Sequence, residues 1–221
     1  MNATHLQLDG FLTVEEHDGL LAFVRDHEAD LVTSTVNPSG QANHAVDDEY
    51  RRSRVLYDID PIRAMFDTRL EALLPHVRKE LGLDWFALDR IETQMTAHGD
   101  GDFFRVHTDS GGPAVGTRMV TFVYYFALRP DAFTGGDLRV FDNVERDGYY
   151  HPADTFTTVE PRDNSVVFFP STLFHEVLPV RTSGDGLDRH RFTVNGWFHQ
   201  VSHDEAPTVP KDSGAPGPTA E

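Results

Sequence analysis

Two histidines and an aspartate stand at spacings that suit a single metal ion. His107 and Asp109 are separated by one residue, and His175 follows the apolar run Val166-Val167-Phe168-Phe169 and a turn at Pro170-Ser171. On a β-strand, residues two apart face the same way, so His107 and Asp109 can address one ion while Thr108 turns away. Two imidazoles and a carboxylate cover one face of iron(II) and leave the opposite positions for O2 and a cosubstrate. Taken singly, each of these residues fits a surface pair or a satisfied core histidine just as well. The joint pattern is what points to an oxygenase.

A fourth residue adds to it. Arg191 heads the run Arg191-Phe192-Thr193-Val194-Asn195-Gly196-Trp197-Phe198. As a strand, this run places Arg191, Thr193, Asn195 and Trp197 on one face and Phe192, Val194 and Phe198 on the other. One face is polar around a large aromatic and suits a cosubstrate pocket; the other is apolar and suits a core. A guanidinium matches the far carboxylate of a dicarboxylic cosubstrate. Arg189 and His190 compete for that role, but Arg189 lies nearer the preceding loop.

These residues must be positioned by a fold of moderate size. The chain has 221 residues, 39% hydrophobic, with 16 Phe gathered in short runs, enough for one domain with a full core. With no cysteine, disulfides, thiolate metal sites and cysteine nucleophiles are excluded, and any transition metal must use His, Asp or Glu. A net charge of −17 argues against non-specific contact with nucleic acid or an anionic membrane. The first residues lack a basic-then-apolar leader and no apolar run reaches spanning length, so the expectation is a soluble cytoplasmic protein.

Along the chain, residues 6–12 read as a short strand and turn. Thr13 with Glu16 forms a capping-box pattern opening a helix whose apolar face carries Leu20, Leu21, Phe23 and Val24. Residues 32–48 read as a mobile polar loop. A second helix covers about 61–81, with Pro75 a break or kink. Strands are then expected at 86–96, 103–107, 119–128, 137–141, 165–169, 176–180 and 192–200. The tail from Ser202 has too few apolar residues to pack and reads as disordered. The fold class is therefore α+β, mainly β: a helical buttress over 1–83 against an antiparallel β core over 84–201, in a single domain of residues 1–201, with 202–221 as the tail.

Several ordered segments resemble the prolyl-4-hydroxylase-type branch of the iron(II)- and 2-oxoglutarate-dependent dioxygenases. They are Gly99-Asp100-Gly101-Asp102-Phe103-Phe104 leading to His107-Thr108-Asp109, then Arg118 to Phe126, then Gly135-Gly136-Asp137-Leu138-Arg139-Val140, then Phe168-Phe169-Pro170 through His175-Glu176-Val177. The resemblance covers roughly half the chain, from Phe86 to Phe198. It implies a double-stranded β-helix, a distorted jelly roll, with His107, Asp109 and His175 as iron ligands. It implies Arg191 on the distal carboxylate of 2-oxoglutarate, with Tyr125 and Thr193 adding hydroxyls, and Trp197 and Leu138 as apolar walls. Where many relatives carry a tyrosine before the Gly-rich turn, this chain has Ala97-His98, and His98 stands in as a donor. The implied chemistry consumes 2-oxoglutarate and O2, with ascorbate as a reductant, releases succinate and CO2, and hydroxylates an unactivated C–H bond. Halogenating relatives carry a small residue at the carboxylate position, so Asp109 points to hydroxylation; desaturation, epimerisation and ring formation use the same triad.

Substrate choice is expected from two long connections, residues 32–54 and 142–155. Arg51, Arg52 and Arg54 in the first, and Tyr149 in the second, are candidate substrate contacts, together with Trp197. The substrate is prolyl, amino-acid-like or a small natural product, either peptidyl or free, and the protein is a monomer or homodimer. Two other readings remain: a catalytically silent member that binds iron or 2-oxoglutarate as a sensor or interaction module, and a cupin-like metal isomerase or cofactor-independent dioxygenase, which would not need Arg191 in a cosubstrate pocket.

Overall fold

The computed structural model describes residues 4–36, 45–110 and 115–202. The capping box forms as read: Glu16 accepts from the Thr13 amide at 2.8 Å, Thr13 Oγ1 accepts from the Glu16 amide at 3.3 Å, and α1 spans Val14–Asp26. Glu16 also pairs with Arg69 of α2, Asp60–Leu81, which ties the two helices together. In α2 the buried residues Ile62, Phe66, Leu70, Leu74, Val77 and Leu81 recur every three or four positions, one continuous stripe. Pro75 does not end this helix. It lies on the exposed side, where water can satisfy the Glu71 carbonyl that loses its intrahelical partner.

All strand pairs are antiparallel and form two main sheets. The larger contains β1 (Leu6–Asp9), β2 (Val32–Thr33), β4 (Arg54–Leu56), β5 (Leu88–His98), β7 (Arg118–Phe126), β11 (Ser165–Pro170) and β14 (Arg191–Gln200), in the order β1-β11-β7-β14-β5-β4-β2. The smaller contains β3 (Arg51–Arg52), β6 (Phe103–His107), β9 (Leu138–Arg146), β10 (Tyr149–Val159) and β12 (His175–Val177), in the order β10-β9-β12-β6-β3. A short pair, β8 (Phe133–Gly135) with β13 (Val180–Thr182), closes one end.

Strand alternation gives the large sheet two different faces. Phe122, Tyr124, Phe126, Val166, Phe168, Phe192, Val194 and Phe198 pack with the helices in one core, where Phe11, Phe66 and Tyr124 meet ring to ring at 5.3–5.8 Å. Tyr125, Val167 and Phe169 turn the other way and pack with Leu138, Val140 and Val159 of the small sheet. This is the jelly-roll core, buttressed by helices on one side.

Three expectations need correction. The first 83 residues are not a purely helical buttress: besides β1, where a short strand is expected, β2 to β4 join the two sheets, and with two or three residues each they leave little periodicity to read. The connection 142–155 is largely not a loop. It is a hairpin, β9 to β10, turning at Asp147-Gly148 with both in left-handed conformation, and its exposed polar faces hide the alternation. The strand expected at 176–180 is interrupted at Leu178-Pro179 into β12 and β13. Of the polar loop at 32–48, residues 32–36 and 45–48 include β2 and a bridge between Val36 and Ala45; residues 37–44 and the tail from 203 lie outside the described residues.

Candidate metal and cosubstrate site

His107 ends β6 and His175 begins β12, and the two are register partners across the small sheet. Their rings lie 4.1 Å apart between centroids. Asp109 follows β6 by two residues, its amide donating to the Ser171 carbonyl at 3.1 Å, so the turn before His175 also places Asp109. His175 Nε2 lies 3.4 Å from Asp109 Oδ2 and His107 Nε2 lies 3.8 Å from Asp109 Oδ1. One ligand atom from each of the three falls within 4.8 Å of the others, a group that could hold a metal ion.

The ring nitrogens away from this point are engaged. His107 Nδ1 lies 2.7 Å from the Arg105 carbonyl and His175 Nδ1 lies 3.1 Å from the Leu173 carbonyl. A carbonyl can only accept, so each Nδ1 carries the hydrogen and each Nε2 presents a lone pair to the centre. Phe104 stacks on His107 at 3.6 Å and Phe169 packs edge-on to His175 at 4.8 Å, fixing both ring planes. Burial, with His175 adding to it, pushes the His107 pKa down to about 3. The imidazole is therefore neutral and able to ligate.

Asp109 is held by more than its neighbours in sequence. Thr121 Oγ1 donates to Asp109 Oδ2 at 2.8 Å. Burial alone would raise this carboxyl's pKa; His175, His107, Trp197 and Thr121 more than offset it, and the net direction is down. Arg118 lies 3.5 Å over the Trp197 ring, is gripped by both oxygens of Glu92 at 2.8 and 2.9 Å, and donates to the Asp109 carbonyl at 3.4 Å. His199 Nε2 also meets Glu92 at 3.0 Å. None of Thr121, Arg118, Glu92 or His199 was expected from sequence. Thr121 has a readable signal, since it lies four residues before Tyr125 on the same face of β7.

Linked to the triad through Phe169, which packs on His175 and clusters with Tyr125, the large sheet contributes a second polar set. Arg191, 1% exposed, donates through Nε to the Gly136 carbonyl at 3.2 Å and lies 5.4 Å from the Tyr125 ring centre. Gly136 sits at φ +69°, and a Cβ there would come within 2.8 Å of Arg191 Cδ and Nε, so the Gly-Gly turn makes room for the guanidinium. His98 is the register partner of Arg191 on β5 and is buried. Burial, then Arg191, Arg51 and His190, hold the His98 pKa well below its usual value. Burial raises the Tyr125 phenol to about 12.

One terminal nitrogen of Arg191, the Tyr125 hydroxyl and both ring nitrogens of His98 are buried with no hydrogen-bond partner among the described residues. Each such group costs about 1–3 kcal/mol if left unpaired. A carboxylate lying among them would supply acceptors to the Arg191 and Tyr125 donors and to whichever His98 nitrogen carries a hydrogen. The donor set fits a small dicarboxylic acid.

The remaining sequence candidates separate. Thr193 is buried on the Arg191 face, but its hydroxyl donates to Asn195 at 3.2 Å, so its proton is committed elsewhere. Arg51 points at the site: its guanidinium lies 4.7 Å from the Phe104 ring centre, and its charge opposes protonation of His107. Arg52 instead donates to the Gly101 carbonyl, and Arg54 reaches His190 at 3.4 Å. Trp197 is 8% exposed, with one face covered by Arg118. Tyr149 stands exposed at the hairpin turn opposite Arg146, six residues along β9 from Val140, the register partner of His175, and so about 20 Å along the strand from the triad.

Known proteins resemble this chain in sequence and in fold. Residues 93–199 match the family model described as the 2OG-Fe(II) oxygenase superfamily, a span that includes the triad, Tyr125 and Arg191. The chain is 34% identical over 199 residues to an uncharacterised PKHD-type hydroxylase of Synechocystis sp., covering 89% of this chain and 63% of that relative, so it spans less than two thirds of the relative's length. Among solved structures, a Pseudomonas putida prolyl-4-hydroxylase is 26% identical with a TM-score of 0.60, over 90% of this chain and 94% of the other. A Trichoplax adhaerens prolyl hydroxylase, solved with a hypoxia-inducible-factor peptide fragment, shares the fold at 17% identity and a TM-score of 0.65, over 90% and 84%. No helix among the described residues is long and apolar enough to cross a membrane. Through residues 93–199 the chain resembles the 2OG-Fe(II) oxygenase superfamily, and its relatives and structural neighbours include PKHD-type and prolyl-4-hydroxylases.

Proposed function

We propose that this chain is an iron(II)- and 2-oxoglutarate-dependent hydroxylase of a prolyl or related amino-acid-like group, built as one catalytic domain over residues 1–201. The observation that carries the reading is the triad joined, through Phe169 on His175 and Tyr125 beside Phe169, to a buried arginine that has an unspent donor. His107, Asp109 and His175 would hold the metal through Nε2, carboxylate and Nε2. Arg191 and Tyr125, with His98, would bind the distal carboxylate of the cosubstrate. Bound there, iron(II) with 2-oxoglutarate and O2 supplies the oxidising power for C–H hydroxylation, with succinate and CO2 as coproducts.

The chain's own residues do the rest. The Arg105 and Leu173 carbonyls hold both imidazoles in the ligating tautomer. Thr121 fixes the Asp109 carboxylate and Arg118 its backbone. The Tyr125 phenol remains protonated across the working pH range and can only donate to a carboxylate. Phe104, Phe169 and Leu138 exclude water around the imidazoles and the cosubstrate pocket.

The test is succinate formation from 2-oxoglutarate by anaerobically iron(II)-loaded protein on admitting O2, with prolyl peptides and free amino acids as substrates. Turnover that disappears in both His107→Ala and Arg191→Ala is the expected result. Iron and 2-oxoglutarate binding without turnover on any substrate would favour the silent sensor, and turnover unaffected by Arg191→Ala would favour a cupin-like enzyme.

A further inference from the structure

A second polar feature lies just outside the triad and carries the opposite sign to the chain as a whole. A groove of about 250 Å³ runs between β6, β12 and residues 178–181, and Arg52, Arg105 and Arg181 line it. Seven arginines elsewhere, Arg63, Arg69, Arg90, Arg118, Arg129, Arg139 and Arg162, lie within ion-pair distance of an Asp or Glu. Among the described residues none of the three groove arginines does. Arg52 donates to the Gly101 carbonyl, Arg105 Nε donates to the Glu49 carbonyl at 3.3 Å, and Arg181 is exposed with no side-chain partner. Glu176 also lines the groove, but its carboxylate is taken by Arg139 at 3.2 Å.

The groove is shaped as well as charged. Arg52 and Arg105 lie 5.1 and 4.9 Å from the centre of the same Phe103 ring. Contact with one aromatic holds planar guanidinium groups in place, and the N–H groups not spent on the Gly101 and Glu49 carbonyls remain for an oxyanion. A Cβ on Gly101, at φ +72°, would come within 3.1 Å of the Arg52 terminal nitrogen, so a glycine there keeps that guanidinium in place. Phe104 forms part of the groove wall and stacks on His107 at 3.6 Å, so the groove and the triad share one ring. At a net charge of −17 the chain repels anions at long range, and only a local cluster of unneutralised cations can hold one.

We infer that this groove is a specificity subsite for an acidic group, carboxylate or phosphate, carried by an extended substrate beside the carbon that reacts. The inference rests on the hydroxylase reading for the word substrate; the oxyanion recognition itself does not.

The test is fluorescence anisotropy with the full chain loaded anaerobically with iron(II) and 2-oxoglutarate. Two labelled proline-containing peptides are compared, one with glutamates flanking the proline and one with glutamines, and inorganic phosphate serves as the free oxyanion. The expected result is roughly tenfold tighter binding of the glutamate peptide, weakening as salt is raised, and loss of that preference in Arg105→Gln/Arg181→Gln. Arg181→Gln alone, at an exposed side chain with no described partner, should retain the fold and lose part of the preference. Equal affinity for the two peptides, or a preference that survives the double substitution, overturns the proposal. Phosphate bound as tightly as the glutamate peptide overturns the substrate assignment and leaves a free-anion site. Because binding is read without turnover, failure to load iron sinks the triad reading, whereas normal loading without acid preference sinks the groove alone.

Discussion

Thr121 donates its hydroxyl hydrogen to Asp109 Oδ2 at 2.8 Å, from the large sheet rather than from the His107-Thr108-Asp109 segment at the end of β6. The carboxylate thereby has one oxygen engaged by the protein and one facing His107. Thr121→Val keeps the shape and removes the donor. Iron(II) affinity, measured by anaerobic titration, should fall about 10- to 100-fold, as is usual when a hydrogen bond orienting a ligand is lost. An unchanged affinity would mean that Asp109 is held by its backbone alone.

Arg191→Lys should behave as a loss rather than a conservative change. A lysine lacks the fork that spans Gly136 and the pocket, and it buries a compact ammonium beside Tyr125. The KM for 2-oxoglutarate should rise at least about tenfold, the loss of one charge-assisted hydrogen bond, while iron binding is retained. Equal KM values in wild type and variant would remove Arg191 from the cosubstrate pocket.

Gly136→Ala tests the same pocket from the backbone side. The new methyl group meets Arg191 Cδ and Nε and Val180 at 2.8 Å, at a left-handed φ of +69°. Strain of about 1–3 kcal/mol is expected, seen as a lower melting temperature, together with weaker 2-oxoglutarate binding as the guanidinium is pushed aside. A variant with wild-type values of both would show that the turn can move independently of the arginine.

His98 gives a pH prediction with a definite sign. Its folded pKa is well below the usual histidine value, chiefly through burial, so the unfolded chain binds a proton that the folded chain refuses. Its contribution is fully present above about pH 6.5 and is lost as pH falls below that, at about 1.4 kcal/mol per pH unit. In metal-free protein, the stability of His98→Asn should decline less steeply with acid by about that slope, read from urea melts between neutral pH and pH 5. Parallel wild-type and variant curves would place a protonated histidine in the folded state.

The triad and its arginine were legible because strand alternation is a short-range rule. His107 and Asp109 are two apart, and the faces of β14 separate cleanly into Phe192, Val194 and Phe198 against Arg191, Thr193 and Trp197. The hairpin β9–β10 was missed because most of β10 is exposed and its sequence, with Asp147-Gly148 and Pro152, carries turn residues but no apolar alternation. The Glu92–Arg118–Trp197 cluster was missed for another reason. Its members are dispersed over β5, β7 and β14, and only sheet order brings them together. Likewise, nothing local distinguishes Arg51, which faces the site, from Arg52, which lines the groove.

The central strand β14 separates a helix-packed core from the polar pocket, and its side chains alternate between them. Slipping it by one residue against β5 and β7 would move Phe192 to the anchor position and turn a guanidinium towards the helix-packed face that carries Phe126 and Phe168. The energy that rejects such an error comes from aromatic packing on the far side of the sheet. The geometry of the proposed site therefore depends on side chains packed on the opposite face of the sheet, and loosening the helix-side core should degrade catalysis before it unfolds the chain.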